Sequence, residues 1–454
     1  CGSGIFLVES FKRLVNKYKK DNGKISEKEL KNILVNSIYG IDVNESALKI
    51  ASFSLYIALL DFLEVKEVSK NNFTFPHLIG ENLFNKNFFD EEAKFNNYKF
   101  DVIIGNPPWG TTKGNIYKVK YEKYEKNNDI PIRNNQIAQY FMARVKDFVK
   151  SNTQITFLLL SKIFYNHRGT DFRKYILNKY HIDFIIDLSI ARKIIFEDSN
   201  APCAIVSYEP KKERDNKITQ YTLKPNFHFF AKMLNKIFID PSEIIEIRQE
   251  LFEKEDDLWR EILYGNVFDY NLLKKLKKNI KLKYFLEKYN LSFNQGAIKG
   301  SNTKEYPEFK DMLMINTRKC FNSYFVDLNK ARRVKDPNFS RPRKKKIYKG
   351  PHLLIKRGTQ NNRCVSGIVL DEVMFTHSID SITAPEKNEY FLKILRYLET
   401  IINSKLCTYF HFHNAPSWGV ERNQIMKSDS EKLPIPDFEK NRQLSNKLVN
   451  KANK

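Results

Sequence analysis

The stretch Phe100–Gly110, FDVIIGNPPWG, constrains the fold more tightly than any other part of the chain. Its run from Asp101 to Gly105 reads as a short buried β-strand, and the two prolines that follow stop it, because proline brings no N–H to a ladder. A residue before proline is pushed toward extended geometry. Asn106 and the carbonyl of Pro107 are therefore expected to stand stiffly off the strand end as acceptors, with Pro108 fixing the backbone and Trp109 supplying a flat face. Two acceptors beside a flat ring suit an amino group on a planar heterocycle, which has two N–H bonds to give. Holding those hydrogens would localise the nitrogen lone pair and aim it at an electrophile. The plain alternative is a proline-stopped strand with a core tryptophan.

The flanking sequence predicts the sheet that carries this tip. A glycine turn, Cys1-Gly2-Ser3-Gly4, opens a helix whose apolar residues Phe6, Leu7, Phe11, Leu14 and Val15 recur at helical spacing. A strand over Ser37–Ile41 ends in Asp42 and leads into a second helix through Asn44 and Glu45, and Phe75–Glu81 reads as a third strand. The proline-tipped strand comes fourth. After it follow a polar loop over Gly110–Asn135, a helix over Gln136–Val149, a strand over Gln154–Leu160, a helix from Asp171 and a strand over His181–Leu188. Ala201–Tyr208 follows only a short loop, so it is expected to pair antiparallel with its predecessor. Alternating strands and helices predict an α/β, doubly wound, mostly parallel Rossmann-like sheet with an antiparallel last strand.

Each joint of this pattern offers a chemical use and a structural one. Glycine at positions 2 and 4 lets a nucleotide-like cofactor approach the backbone at a helix start, where N–H groups are free. Asp42 can accept hydrogen bonds from both hydroxyls of a ribose, or cap the helix, a task Asn44 could equally perform. Glu81 or Asn82 would meet a cofactor adenine or simply make a turn. In the polar loop, lysines 113, 118, 120, 123 and 126 interleave with Tyr117, Tyr121 and Tyr124, a pattern in which bases stack and phosphates pair, or a solvated loop. Phe196 is a candidate second aromatic wall or a loop anchor.

Beyond Lys211 the pattern changes to charged helical segments over Phe252–Tyr264 and Asn271–Tyr289, then to short strand-like runs with glycine turns, NQGAIKG, KGPHLLIKRG and VSGIVLDEVMF. The expected division is 1–212, a helical linker over 213–290, and a mixed α+β domain over 291–454. The cluster Arg341, Arg343, Lys344, Lys345, Lys346 and Lys349, joined by the run RRVK at 332–335, is dense enough for phosphate contact. A net charge of +24 points the same way, toward a polyanionic partner, although lysine-rich composition from an AT-rich genome contributes to it. Five scattered cysteines with no CxxC pair indicate neither a zinc site nor a disulfide framework, so no metal is expected and a reducing cytoplasm is. The longest apolar stretch, Ala47–Leu63, is broken by Lys49, Ser52, Ser54 and Asp61, so no membrane span is expected.

With these residues in hand, the chain resembles the gamma-type N6-adenine DNA methyltransferases of restriction-modification systems, particularly the type IIG enzymes. The resemblance runs through CGSGIFLVE, YGIDVNESALKIASFSL, DVIIGNPPW and NAPCAIVSY in order, and continues into IYKGPHLLIKRG, INSKL, SWGVER and LPIP. It implies S-adenosylmethionine at Gly2, Gly4 and Asp42, and an adenine flipped out of double-stranded DNA at Asn106, Pro107 and Trp109; Glu81, from its place in the chain, is a further candidate cofactor contact, and Pro108 belongs to the same catalytic tetrapeptide. Phe196 would be the aromatic between the last two strands, residues 291–454 a target recognition domain, and Arg343, Lys344 and Lys345 DNA contacts. The chain opens inside the glycine turn without an initiator methionine, so a truncated start is expected, with the first strand, a cofactor-covering segment and a nuclease domain as candidates upstream. Competing readings are an RNA or protein-glutamine amino methyltransferase, and a DNA-binding specificity module with a vestigial catalytic half.

Overall fold

Glycine sets the first helix against its neighbour. Gly4 adopts a left-handed backbone (φ 87°) ahead of helix α1, Ile5–Asn22, and a Cβ there would stand 2.8 Å from that of Ala51. Helix α3, Glu45–Leu60, can therefore pack directly on the turn. Helix α2, Glu27–Ser37, starts in a capping box in which Ser26 Oγ accepts from the Glu29 N–H and the Glu29 carboxylate accepts from the Ser26 N–H. Phe11, Val15, Leu30, Leu34, Leu48 and Leu55 close the core among these helices.

The structure is a computed structural model and describes residues 1–69, 73–133, 135–196, 201–212, 215–223, 233–234, 239–322, 324–440 and 442–452. It divides into two units, Cys1–Arg192 with Cys203–Lys254, and Lys193–Pro202 with Glu255–Lys454. Among the described residues no helix is long and apolar enough to cross a membrane.

In the first unit, strands β1 (Gly40–Asp42) and β2 (Leu83–Asn85) form a parallel pair with Asp42 opposite Asn85. The third strand thus lies beyond the expected Phe75–Glu81, because pairing with β1 and the burial of Leu83 and Phe84 select the later segment. Six further strands make one sheet: β3 (Phe100–Gly105), β4 (Val149–Leu160), β5 (Tyr180–Asp187), β6 (Cys203–Pro210), β7 (Lys217–Thr222) and β8 (Ile244–Arg248). Their order is β3-β4-β6-β5-β7-β8. The pairs β3–β4 and β5–β7 are parallel, while β4–β6, β6–β5 and β7–β8 are antiparallel.

Three expectations need correction here. The sheet is mixed instead of mostly parallel, because β6, antiparallel as expected, inserts between β4 and β5, and β8 runs antiparallel to β7. Strand β3 is not buried: among the described residues it pairs with β4 alone, and Val102 and Ile104 are 59% and 43% exposed. The helical linker expected over 213–290 is divided, with β7 and β8 extending the first unit's sheet and the helices Leu258–Tyr264, Val267–Leu276 and Leu282–Lys288 lying in the second unit. Strand β7 escaped the sequence reading because its buried face is Ile218, Gln220 and Thr222, which gives no apolar alternation.

The second unit is built on a four-stranded antiparallel sheet in the order Ser292–Gln295, Ile379–Thr383, His352–Lys356, Ser366–Val369. Helices Glu389–Ile402 and Lys405–Asn414 bury Ile394, Leu395, Leu398 and Phe410 in a core shared with Leu353 and Ile382 of that sheet. Arg357 grips Asp380 through two 2.8 Å bonds inside this unit, at 4% and 1% exposure.

Candidate active site

At the end of β1 the Asp42 carboxylate ties down the glycine turn. Its Oδ2 accepts from the Gly2 N–H at 2.7 Å and from the Cys1 nitrogen at 3.0 Å, and its Oδ1 accepts from the Asn44 N–H at 2.9 Å. Burial pushes the carboxyl up, while the N–H groups of Asn44 and Gly2 and the charged Cys1 amine together bring it below its ordinary value. The group is thus a carboxylate at neutral pH, still partly open to solvent. The helix cap falls to Asn44, whose Oδ1 accepts from the Ala47 N–H, so Asp42 is released from that role.

The two glycines serve different ends. Gly2 has φ 56° and open space where a Cβ would point, so a ligand can come close to this backbone. At Gly4 the space is filled by Ala51, and the glycine there serves helix packing. Glu81 lies in the turn before β2, exposed and paired with Lys94. Asn82 is buried and donates to the carbonyls of Val35 and Ile38, which fixes the end of α2. The strand-end position sought for Glu81 is held by Asn85, whose Nδ2 donates to the Asp42 carbonyl at 3.3 Å. Val43, exposed directly after Asp42, adds an apolar surface. Sequence reasoning missed both residues; the signal was an apolar side chain between two turn-forming ones, and a polar residue ending Leu83–Asn85 once that strand is known.

The proline tip is built as its sequence dictates. Gly105 sits opposite Phe157 on β4, where a Cβ would come within 3.1 Å of the Phe157 ring, and Asn106 leaves the ladder there. Pro107 is buried, Asn106 and Pro108 are exposed, and Trp109 is half-buried. The Asn106 amide makes no hydrogen bond among the described residues, so its oxygen is available as an acceptor. Beyond the tip the chain is tied to the start of the helix Ile137–Arg144, with the Ile137 N–H donating to the Gly110 carbonyl at 3.0 Å and the Thr112 N–H to that of Asn135 at 2.8 Å.

The segment after the tip is not an open loop. Lys118–Asn127 is a helix that buries Tyr121 and Tyr124; Tyr124 donates to Asp147 at 2.8 Å and Tyr121 packs edge-on against Phe89. Neither ring is free to stack on a base, and Tyr117 is half-buried at the helix start. Lys118, Lys120 and Lys123 pair with Glu122, Asp90 and Glu91, which leaves Lys113 and Lys126 without an ion pair among the described residues. Phe196 is half-buried in the segment Lys193–Pro202, which groups with the second unit.

In the second unit the basic cluster separates into two kinds of residue. Arg343 has φ 71° and is held inward, with Nη2 donating to Gln295 Oε1 at 3.1 Å. Lys344, Lys345 and Lys346 are exposed around a single 3-10 turn, with no ion pair among the described residues. No group of three or more His, Cys, Asp or Glu is placed to hold a metal ion among those residues.

Comparison with known proteins bears on this geometry. Residues 36–196, which include Asp42, Asn85 and the proline tip, match the family model described as Eco57I restriction-modification methylase. The type II restriction enzyme and methyltransferase RM.Eco57I of Escherichia coli is 30% identical over 220 residues, 40% of this chain and 21% of that protein. The chain therefore spans about a fifth of that relative's length. Among solved structures, the type IIL restriction-modification enzyme MmeI in complex with DNA superposes with a TM-score of 0.54 at 13% identity, over 99% of this chain and 63% of that one. DrdV in a DNA complex gives 0.54 at 11%, over 100% and 52%. At these identities the two structures establish a shared fold.

Proposed function

We propose that this chain transfers a methyl group from S-adenosylmethionine to N6 of an adenine flipped out of double-stranded DNA, as part of a restriction-modification or phage-defence enzyme. The observation that carries the reading is the exposed, unengaged Asn106 amide on a proline-stiffened strand end, inside the segment that matches a restriction-modification methylase family. The match to RM.Eco57I and the fold shared with DNA-bound MmeI support duplex DNA as the substrate.

The cofactor supplies an electrophilic methyl group. Gly2, with open space above its backbone, and Asp42, an ionised carboxylate, fit a ribose; Val43 offers an apolar face to a purine, and the strand end favours Asn85 over Glu81 as the polar contact beside it. Asn106 Oδ1 and the Pro107 carbonyl accept the two N6 hydrogens, which draws the nitrogen lone pair out of the ring and aims it. Pro108 keeps those acceptors from turning away, and the Trp109 ring forms a wall for the base. N6 would gain the methyl group as the methyl–sulfur bond breaks and a neutral thioether leaves, and would lose one proton to water. Flipping is required because N6 lies within the stacked duplex.

The test is transfer of a labelled methyl group by the full-length protein to duplex DNA, RNA and cell protein in parallel. Label on adenine N6 of the duplex is expected. Label confined to RNA or to glutamine side chains would replace this reading, and no label anywhere would favour a DNA-binding module without catalysis.

A further inference from the structure

Two loop tips of the second unit are tied together and carry an unusual set of side chains. Gln360 and Arg363 exchange both backbone hydrogen bonds at 3.0 Å, and the residues between them, Asn361 and Asn362, have φ of 49° and 56°. This is a two-residue turn of the I′ hand, which glycine fits best at its second position. Asparagine there keeps a second carboxamide at the tip at a conformational cost. The partner segment is Arg422–Gln424: Gly358 bridges Gln424, the Thr359 N–H donates to the Asn423 carbonyl at 3.2 Å, and Asn423 Nδ2 reaches Asn362 Oδ1 at 3.4 Å.

The base of this pair is rigid. Ile425 N–H donates to the carbonyl of Arg357, whose guanidinium is the one buried on Asp380. Arg363 is used internally, donating to the Tyr324 hydroxyl at 3.2 Å and the Asn403 carbonyl at 3.1 Å. Arg422 is more open: its ion pair is with the adjacent Glu421 at 3.6 Å, and its side chain remains 65% exposed. Asn361, Asn362, Arg422 and Asn423 are thus all exposed on two backbone-linked segments.

We propose that these linked tips, Asn361-Asn362 with Arg422-Asn423, form the surface that reads base edges in duplex DNA. The inference rests on the DNA methyltransferase reading and adds the element that sets the recognised sequence. Phosphates ask only for positive charge, which Lys344–Lys346 supply; carboxamides that both donate and accept, beside a forked guanidinium, match the N6/N7 edge of adenine and the O6/N7 edge of guanine.

The experiment is methylation of a duplex library with randomised sequence by the full-length parent and by Asn362→Gly and Arg422→Ala. Glycine suits the turn better than asparagine, so Asn362→Gly removes the amide without unfolding the tip. Discrimination at one or more base positions should fall by about 5- to 150-fold in at least one variant, with methylation continuing on a broader set of sites. A recognised sequence unchanged in both variants overturns the inference and leaves the methyltransferase reading standing. No adenine methylation by the parent overturns that reading and this inference with it.

Discussion

Asn106 and the lysines at 344–346 are both exposed, but they are held in different ways. Asn106 leaves an ordered strand at a fixed register, with Gly105 opposite Phe157 and two prolines after it, so the backbone that carries its amide is fixed in place. Lys344, Lys345 and Lys346 ride on one turn of 3-10 helix, each on a flexible stem, next to an Arg343 that is bound inward. The difference matches what the proposed function would ask of each. Holding an amino group in line with a methyl donor needs a fixed acceptor, because most of such catalysis is orientation. Neutralising a polyanion needs charge at roughly the right distance, and direction is almost irrelevant. The helix Lys118–Asn127 is a third case, where similar lysine density is taken up by Glu122, Asp90 and Glu91.

Substitutions can sharpen or break this contrast. The largest effect is expected for Asn106→Ala: turnover on cognate duplex falls on the order of 10²- to 10³-fold, the size seen when one positioned hydrogen-bonding group is removed from a reaction centre. DNA affinity of that variant, measured on the same duplex, should change little, since every phosphate-binding group is still in place. Gly4→Ala comes next, destabilising the first unit by roughly 2 to 4 kcal/mol in a denaturant titration, because the residue must take a positive φ and its methyl meets Ala51. Asp42→Ala should weaken S-adenosylmethionine binding by about 1.5 to 3 kcal/mol by calorimetry. Unchanged affinity there would confine Asp42 to tying down the glycine turn.

The charge substitutions lie at the small end. Neutralising Lys344, Lys345 and Lys346 together should weaken cognate and scrambled duplexes equally, and lower the slope of log K against log salt by about 0.9 for each phosphate that a lysine no longer neutralises. A parent-like slope would make the cluster a solvated turn. Lys118→Ala with Lys123→Ala should leave DNA binding nearly as it was and stability within about 0.5 kcal/mol, as for exposed pairs generally. A salt slope that fell as far as in the Lys344–Lys346 variant would erase the distinction between the two basic segments.

What could be read without the structure depended on how local the physics was. The proline tip was legible because proline acts on its own backbone and its immediate neighbour. Asp42 was legible as an acid at a strand end, but the choice between ligand and cap needed the Asn44 bond to Ala47. The third strand was misplaced because the run Phe75–Glu81 and the segment Leu83–Asn85 compete locally, and only pairing with Gly40–Asp42 decides between them. Tyr121 and Tyr124 looked available because the charged residues around them, Lys120, Glu122 and Lys123, hide a buried helix face. The paired tips at 360–363 and 422–424 were invisible in sequence, since 61 residues separate Asn362 from Asn423.

The central claim is tested most directly by sequencing that detects modified bases, applied to genomic DNA from cells carrying the full-length gene, the same gene with Asn106→Ala, or neither. The account predicts N6-methyladenine at one fixed sequence in the first, and its loss in the second with the protein present at the same level. Methylation that persists with Asn106→Ala, or its absence from the parent, would contradict it.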